Sequence, residues 1–370
     1  MAMMTYANYK VPVPEARKIG PGTADVKANG AVGDGKTDDT AAFNKAINSL
    51  KAGGGGIIEV PDGNFLIDPL VGINMASYSW LKMSPTARLI TKSNDQIRYG
   101  LVRINGVTEV LVTGGRAFGD RYTHTYRTAG LSPAMQTHEW GHCFQVYGSN
   151  RITVRDFMAS GFTGDGLSMA SKNVSGGSAE EQVFDVHIDN VLFADNRRQG
   201  CSVGKACDVV ISNSTFAFTN GTNPQCGIDI EPENNGEARR VHVFRCNLAS
   251  NNANGILALR RSNVNSPVGE VYVVECNIVD NTNGAYISNV EGFAFYRNIV
   301  TKQSQTGLRL SPGTTGVVVQ GNTFGFNYNR GGTGADRSDV TRTGVDKSVE
   351  RDVLVRNDPA ENSFPLNTFI

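Results

Sequence analysis

A glycine followed by a short alternating strand returns at nearly regular intervals through the second half of this chain. These strands read GLSMA from Gly166, GCSVG from Gly200, GIDIE from Gly227, GILAL from Gly255, GAYIS from Gly284 and GLRLS from Gly307. The intervals are 34, 27, 28, 29 and 23 residues. A second set precedes them as VHIDNVLF, VVISNSTF, VHVFRCNL, VYVVECNI, FAFYRNIV and VVVQGNTF. A repeat of this size holds two short strands and their turns and cannot close a core alone. Successive repeats must therefore stack, each burying its apolar side against its neighbours. Strands stacked at about 4.8 Å form parallel sheets around a filled interior. The expected fold is all-β: a single-stranded, right-handed parallel β-helix, a solenoid with an N-terminal capping helix.

The ends of the chain differ from the repeats. Residues 1–23 read as an arm, 24–326 as the β-helix domain, and the glycine-rich polar residues 327–370 as a tail. Asp38 or Asp39 can cap a helix from Thr40 to about Leu50, with positions 43, 47 and 50 on one face. Such a helix would plug the open end of the stack. Asn190, Asn213, Asn247, Asn277, Asn298 and Asn322 recur near turns and read as structural, with a ladder register uncertain by one position. Cys246 and Cys276 occupy equivalent places in successive coils. They read as small buried side chains rather than a disulfide.

Composition excludes some partners. Lys plus Arg and Asp plus Glu both number 35, so the net charge is zero. Binding to nucleic acid needs a basic field that this chain lacks. There is no apolar run long enough to cross a membrane as a helix. The first twenty residues have no apolar signal-peptide core, so export would use another route or a leader already removed. No metal-ligand spacing or cofactor motif is present. Calcium is the one ion the acidic coil invites, as a structural or substrate-bridging partner.

Alternation in the glycine-led strands sorts their side chains. Leu167, Met169, Ile228, Ile230, Ile256, Ala258, Ala285, Ile287, Leu308 and Leu310 should face inward. Ser168, Ser202, Asp229, Leu257, Tyr286 and Arg309 should form one outward line, and Ala170, Gly204, Glu231, Leu259, Ser288 and Ser311 another. Carboxylates concentrate in one coil. Asp229 and Glu231 lie two residues apart on one face, about 7 Å between Cα atoms. That spacing suits the paired carboxyls of glycoside hydrolysis. Mutual repulsion would raise one of them and so supply an acid beside a base. Asp165, two coils below, can complete a pair across a bound sugar. Arg197, Arg198 and Arg260 read as glycan-binding cations, with Glu233, Trp140, His142 and Tyr286 as further binding residues. Asp120, Arg121, His124, Glu139, Trp140 and His142 read as one polar–aromatic cluster. The structural alternative for the acids is a solvated face neutralised by arginines. Outward Leu257 and Leu259 call for a cover, from a folded-back loop or from a second subunit, as in a homotrimer.

The segments DVKANGAVGDGKTDDTAAFNKAI and GGGGIIEVPDGNFLI resemble the start of the pectate-lyase-like β-helix superfamily. GDRYTH, HEWGHCFQV, GDGLSM, DNRRQG and NGTNPQCGIDIEPENN resemble bacterial and phage members described as polygalacturonase-related or tailspike-like. The resemblance implies a right-handed β-helix, a carbohydrate substrate, and an extracellular or virion-associated setting. It does not carry over a catalytic list. The adjacent Asp pair of a polygalacturonase occurs here only as Asp38-Asp39, in the capping segment. Its R-x-K is absent from the later coils, as is the D-P-H-E strand of a mannuronan epimerase. The expected function is a polysaccharide depolymerase cleaving bacterial surface or exopolysaccharide by hydrolysis. A non-catalytic glycan-binding adhesin or tail protein, and a uronate lyase or epimerase, stand as alternatives.

Overall fold

The computed structural model describes residues 6–173, 180–233, 236–261, 265–311, 313–325, 327, 353–355 and 368–369. The chain winds as a right-handed parallel β-helix with three sheets of 11, 12 and 10 strands. One coil illustrates the path. Val183–Asp189 lies in the first sheet, Leu192–Ala194 in the second and Gln199–Val203 in the third. The chain then re-enters the first sheet at Ala206–Ser212. All three strands pair in parallel with those of the next coil.

Two of the corners use a residue in the left-handed region. Between the first and second sheets these are Asn190, Asn213, Arg245, Glu275 and Arg297, with φ from 49° to 53°. Between the second and third they are Asp195, Phe218, Ser250, Asp280 and Lys302, with φ from 54° to 60°. Each costs about 1 kcal/mol for an L residue, so the stack around the corners must hold them there. Asn190 and Asn213 are therefore corner residues rather than ladder members.

Two polar ladders run inside these corners. In one, Cys246 N–H donates to Cys276 Sγ, Cys276 N–H to Asn298 Oδ1 and Asn298 N–H to Asn322 Oδ1, at 3.4, 2.9 and 2.8 Å. In the other, Thr219, Asn251, Asn281 and Gln303 each donate a backbone N–H to the side-chain oxygen one coil on. The expected Asn series is right at 298 and 322. Asn247 and Asn277 lie one residue past the ladder, starting strands of the second sheet. Cys246 and Cys276 are free thiols that fill ladder positions.

The helix Thr40–Lys51 caps the stack, with Phe43, Ala46 and Ile47 buried. Asp38 accepts hydrogen bonds from the Thr40 N–H and hydroxyl. Asp39 instead holds the preceding loop through Val32 N–H and Gly33 N–H. The N-terminal arm lies lengthwise along the first sheet. Tyr6 donates to Glu275 and Tyr9 meets His242 Nδ1 at 3.0 Å. Buried Arg17 reaches Asp185 and Thr153, and Lys18 N–H reaches Glu109. The expected tail lies largely outside the described residues. Its strands Val353–Val355 and Thr368–Phe369 extend the third and second sheets. Leu257 is 5% exposed within the single chain, so its burial requires no second subunit.

Candidate active site

The outer line of the third sheet runs in register through Gln145, Ser168, Ser202, Asp229, Leu257, Tyr286 and Arg309, as alternation requires. A second outer line comes from the residue before each glycine. It passes through Asp165, Gln199 and Cys226. Strict alternation would put Asp165 on the same side as Leu167, inside. The glycine breaks the pattern. A Cβ on Gly166 would point at the core, 2.8 Å from Phe193 Cγ, and one on Gly200 would lie 2.9 Å from Phe216 Cδ1. Glycine and its successor therefore both face inward, and the residue before the glycine is turned out. Only a residue without Cβ fits there, which explains the repeat.

Asp165 collects donors. Arg198 reaches its two oxygens at 3.0 and 3.3 Å, and Ser202 Oγ donates at 2.8 Å. His142 Nδ1 accepts the Asp165 backbone N–H at 3.0 Å. That nitrogen therefore carries no proton, and its 3.4 Å approach to the Asp165 carboxylate is no ion pair. Burial lowers the His142 pKa to about 4, against the pull of Asp165, so the ring is neutral with its hydrogen on Nε2. Glu139 lies 3.8 Å from the other side of the Arg198 guanidinium. Burial raises its carboxyl above the usual range.

Asp229 has the opposite surroundings. It is 4% exposed. Gln199 Nε2 donates to its Oδ2 at 2.6 Å, and its Oδ1 has no partner among the described residues. Burial first, then the charge of Glu231, holds this carboxyl well above the usual range, with Arg198 and Arg261 opposing. Neither arginine pairs with it directly. Arg198 serves Asp165, and Arg261 Nε binds Glu231 at 2.6 Å. A buried carboxyl with one unpartnered oxygen and no direct cation is held neutral. Ser202 is the cross-strand neighbour of Asp229 and hydrogen-bonded to Asp165. The two carboxyls are therefore separated by roughly 5–8 Å, one strand spacing plus a hydrogen bond.

Of the three expected acids, Asp229 meets Gln199, Glu231 is engaged by Arg261, and Asp165 is held by Arg198 and Ser202. Arg198 and His142 join them. Trp140 lies at the lower end with the Arg98 guanidinium 4.0 Å over its ring. Tyr286 lies two coils above Asp229, under Arg309 at 4.7 Å. Three expected binding residues stand apart. Arg197 turns to the 120–138 loop, donating to the Thr137 carbonyl and lying over Tyr126. Arg260 is exposed and, among the described residues, bonds only through its backbone; Arg261 is the arginine that reaches Glu231. Glu233 is exposed and contributes its carbonyl to Ser266. Gln199 and Ser202 belong to no catalytic motif in the sequence, yet both meet the carboxyls. The register of Gly200 held the signal for both, since it sets them beside Asp165 and Asp229.

The expected polar–aromatic cluster divides in two. Glu139 and His142 belong to the carboxyl site. Asp120, His124 and His138 form a buried chain with links of 2.8 Å that ends on the Arg127 carbonyl, and it fixes the loop. Arg121 pairs with Asp195. Among the described residues, no group of three or more His, Cys, Asp or Glu is arranged to hold a metal. A cavity of about 570 Å³ near Phe184 and Asn150 shares no lining residue with the carboxyls.

Comparison with known proteins agrees with this architecture. Residues 23–114 match the family described as rhamnogalacturonase A/epimerase, pectate lyase-like, and residues 142–324 match the right-handed β-helix region. Both matches are to right-handed β-helix models, the first of them pectate lyase-like, in keeping with the three stacked parallel sheets. It is 26% identical over 264 residues to the uncharacterized protein YclG of Bacillus subtilis strain 168, covering 67% of this chain and 44% of that protein. This chain spans less than half the length of the curated relatives it matches. Among solved structures it resembles the A-module of the mannuronan C-5 epimerase AlgE6 of Azotobacter vinelandii (TM-score 0.64, 15% identity, 94% of this chain and 99% of that one). It also resembles the endo-xylogalacturonan hydrolase of Aspergillus tubingensis (TM-score 0.59, 13% identity, 94% and 93%). A third is the Streptococcus pneumoniae surface adhesin PfbA (TM-score 0.55, 13% identity, 82% and 86%). At these identities the likeness is one of fold.

Proposed function

We propose that the outer face of the third sheet binds a polysaccharide and hydrolyses a glycosidic bond within it. Asp229 is the general acid and Asp165 the base or nucleophile. The observation that carries this reading is their contrast: burial holds one carboxyl well above the usual range with an oxygen that has no partner among the described residues, while its neighbour is clasped by Arg198 and Ser202. A buried carboxyl with a raised pKa beside one that accepts from an arginine and a hydroxyl is the arrangement of a general acid and its partner. The acid passes its proton to the glycosidic oxygen as the C–O bond breaks with its electron pair, and water supplies the new C–O bond. A separation of roughly 5–8 Å spans the retaining and inverting arrangements alike. Trp140 and Tyr286 supply aromatic surface at either end of the groove. Arg198 bridges Asp165 and Glu139 above the site. Its movement would open the site to substrate. An extracellular or virion-associated protein acting on a surface or exopolysaccharide fits this chemistry.

Incubation with bacterial exopolysaccharides and pectic polymers, read by the release of reducing ends, tests the proposal. Release that is lost in Asp229→Asn and in Asp165→Asn supports it. An unsaturated product would instead assign elimination. One observation favours a second reading, a glycan-binding face without turnover: Asp165 is 0% exposed and Asp229 4%. Retained binding with no release of reducing ends by the native protein would select it.

A further inference from the structure

Gln199 lies in the third sheet between the two carboxyls and is fully buried. Its Oε1 accepts the Cys226 backbone N–H at 2.9 Å, and its Nε2 donates to Asp229 Oδ2 at 2.6 Å. The Cys226 N–H fixes the orientation of this amide, because a donor must meet its oxygen. The amide NH₂ is thereby aimed at Asp229 and cannot accept a proton from it. A hydroxyl on Oδ2 would put donor against donor. The hydrogen of the neutral acid must therefore reside on Oδ1, the oxygen that the described residues leave without a partner.

We propose that Gln199 is a positioning residue that decides which oxygen of Asp229 carries the acid proton, holding it on Oδ1 for delivery to the glycan. The inference rests on the assignment of Asp229 as the acid. It adds the device that orients the acid, and Cys226 contributes through its backbone alone. The same amide assists the transfer. Once the proton has left, its N–H bond to Oδ2 becomes charge-assisted and strengthens, so Gln199 stabilises the ionised acid that the reaction produces. Removing the donor favours the protonated form and frees the hydrogen to sit on either oxygen.

Infrared titration of the intact protein tests this without substrate. The C=O stretching band of the protonated Asp229 is identified by its loss in Asp229→Asn. In Gln199→Met that band should move to higher frequency, because its carbonyl oxygen loses a donor. Its titration midpoint should also rise, by about one pH unit. Gln199→Glu keeps an acceptor for Cys226 N–H and is close in shape, so it serves if the methionine variant does not fold. There the midpoint should rise further, since two carboxyls would share one proton. A band and midpoint unmoved in the folded variants would overturn the proposal, as would the absence of any Asp229 band in the native protein. Failure of the hydrolase reading is separately visible. It would show as full polysaccharide cleavage by Asp229→Asn, or as no cleavage by the native protein, whatever the infrared titration gives.

Discussion

The two rows of polar side chains that run along this solenoid obey different rules. Inside the corners, Asn251 Oδ1 accepts the Thr219 N–H, and Asn281 takes both the N–H and the amide of Asn251. Each link closes on the next coil, as a buried polar group must. On the outer face of the third sheet the same coil geometry ends in an oxygen without a partner, Asp229 Oδ1, and a carboxyl kept neutral. From Asn251 through Asn281 to Gln303 the inner ladder has its side-chain amides paired and supports the fold, and only at its Thr219 end is a hydroxyl left without a partner among the described residues. An outer line with an unused group has something left to give a ligand, and that difference separates scaffold from site.

The largest expected effect tests the outer line. Asp229→Asn should lower polysaccharide cleavage by about 10³-fold. It should also raise the melting temperature at pH 7. The folded-state pKa of Asp229 is raised, so the stability this group contributes is full at low pH and is lost as pH rises past the unfolded value. The amide removes that loss. A variant that is inactive yet no more stable would blur the distinction between the two rows. Next comes the inner ladder. Asn281→Ala strips the acceptor from Asn251 and the donor from the Leu248 carbonyl. Chemical denaturation should record a loss of about 2–4 kcal/mol, with KM unchanged.

Acid should then weaken the scaffold. Burial lowers His142 and His242 to about 4, below the roughly 6.5 of the unfolded chain. Above pH 6.5 both states are neutral and nothing is lost. As pH falls from 6.5 to 4, the unfolded chain binds protons that the folded chain refuses, so stability drops by up to about 3 kcal/mol per histidine. Denaturant midpoints across that range should fall less steeply in His242→Phe. The smallest effect belongs to Arg261→Ala. It frees Glu231 and removes one of the charges that lower Asp229. The basic limb of the pH–rate profile should move up by less than about one unit, with activity within about threefold.

The fold was legible because its determinants are periodic. The glycine spacing and the alternation of Leu167 with Met169 or Ile228 with Ile230 repeat until they cannot be mistaken. The outer line through Ser168, Ser202 and Asp229 followed from the same register. The site was legible only in part, because its chemistry depends on contacts between coils. Nothing in the sequence distinguishes Arg260 from Arg261, yet only one of them reaches Glu231. Asp165 before Gly166 looks like a simple turn. Its outward aim depends on two consecutive inward positions, which a period of two does not anticipate. Gln199 carries no signal of its own for the same reason: its meaning comes from Cys226 and Asp229, 27 and 30 residues away.

The N-terminal arm gives the stack a property that its coils lack. Nearest-neighbour stacking sets no limit on coil number, since another coil could always be added. The arm joins Tyr6 to Gln320 and Glu275 at one end and Lys18 to Glu109 at the other. Its anchors match only when the intervening coils are all present and in step. It therefore works as a measuring tape laid along a spring. Deleting the coil between Gly200 and Gly227 would leave the remaining coils able to stack but would shorten the span by about 4.8 Å and carry Tyr9 past His242. Because Tyr6 is tied to Gln320, the tape closes in full only when the coil carrying Gln320 is in place, which makes its docking a check on register as well as a clasp.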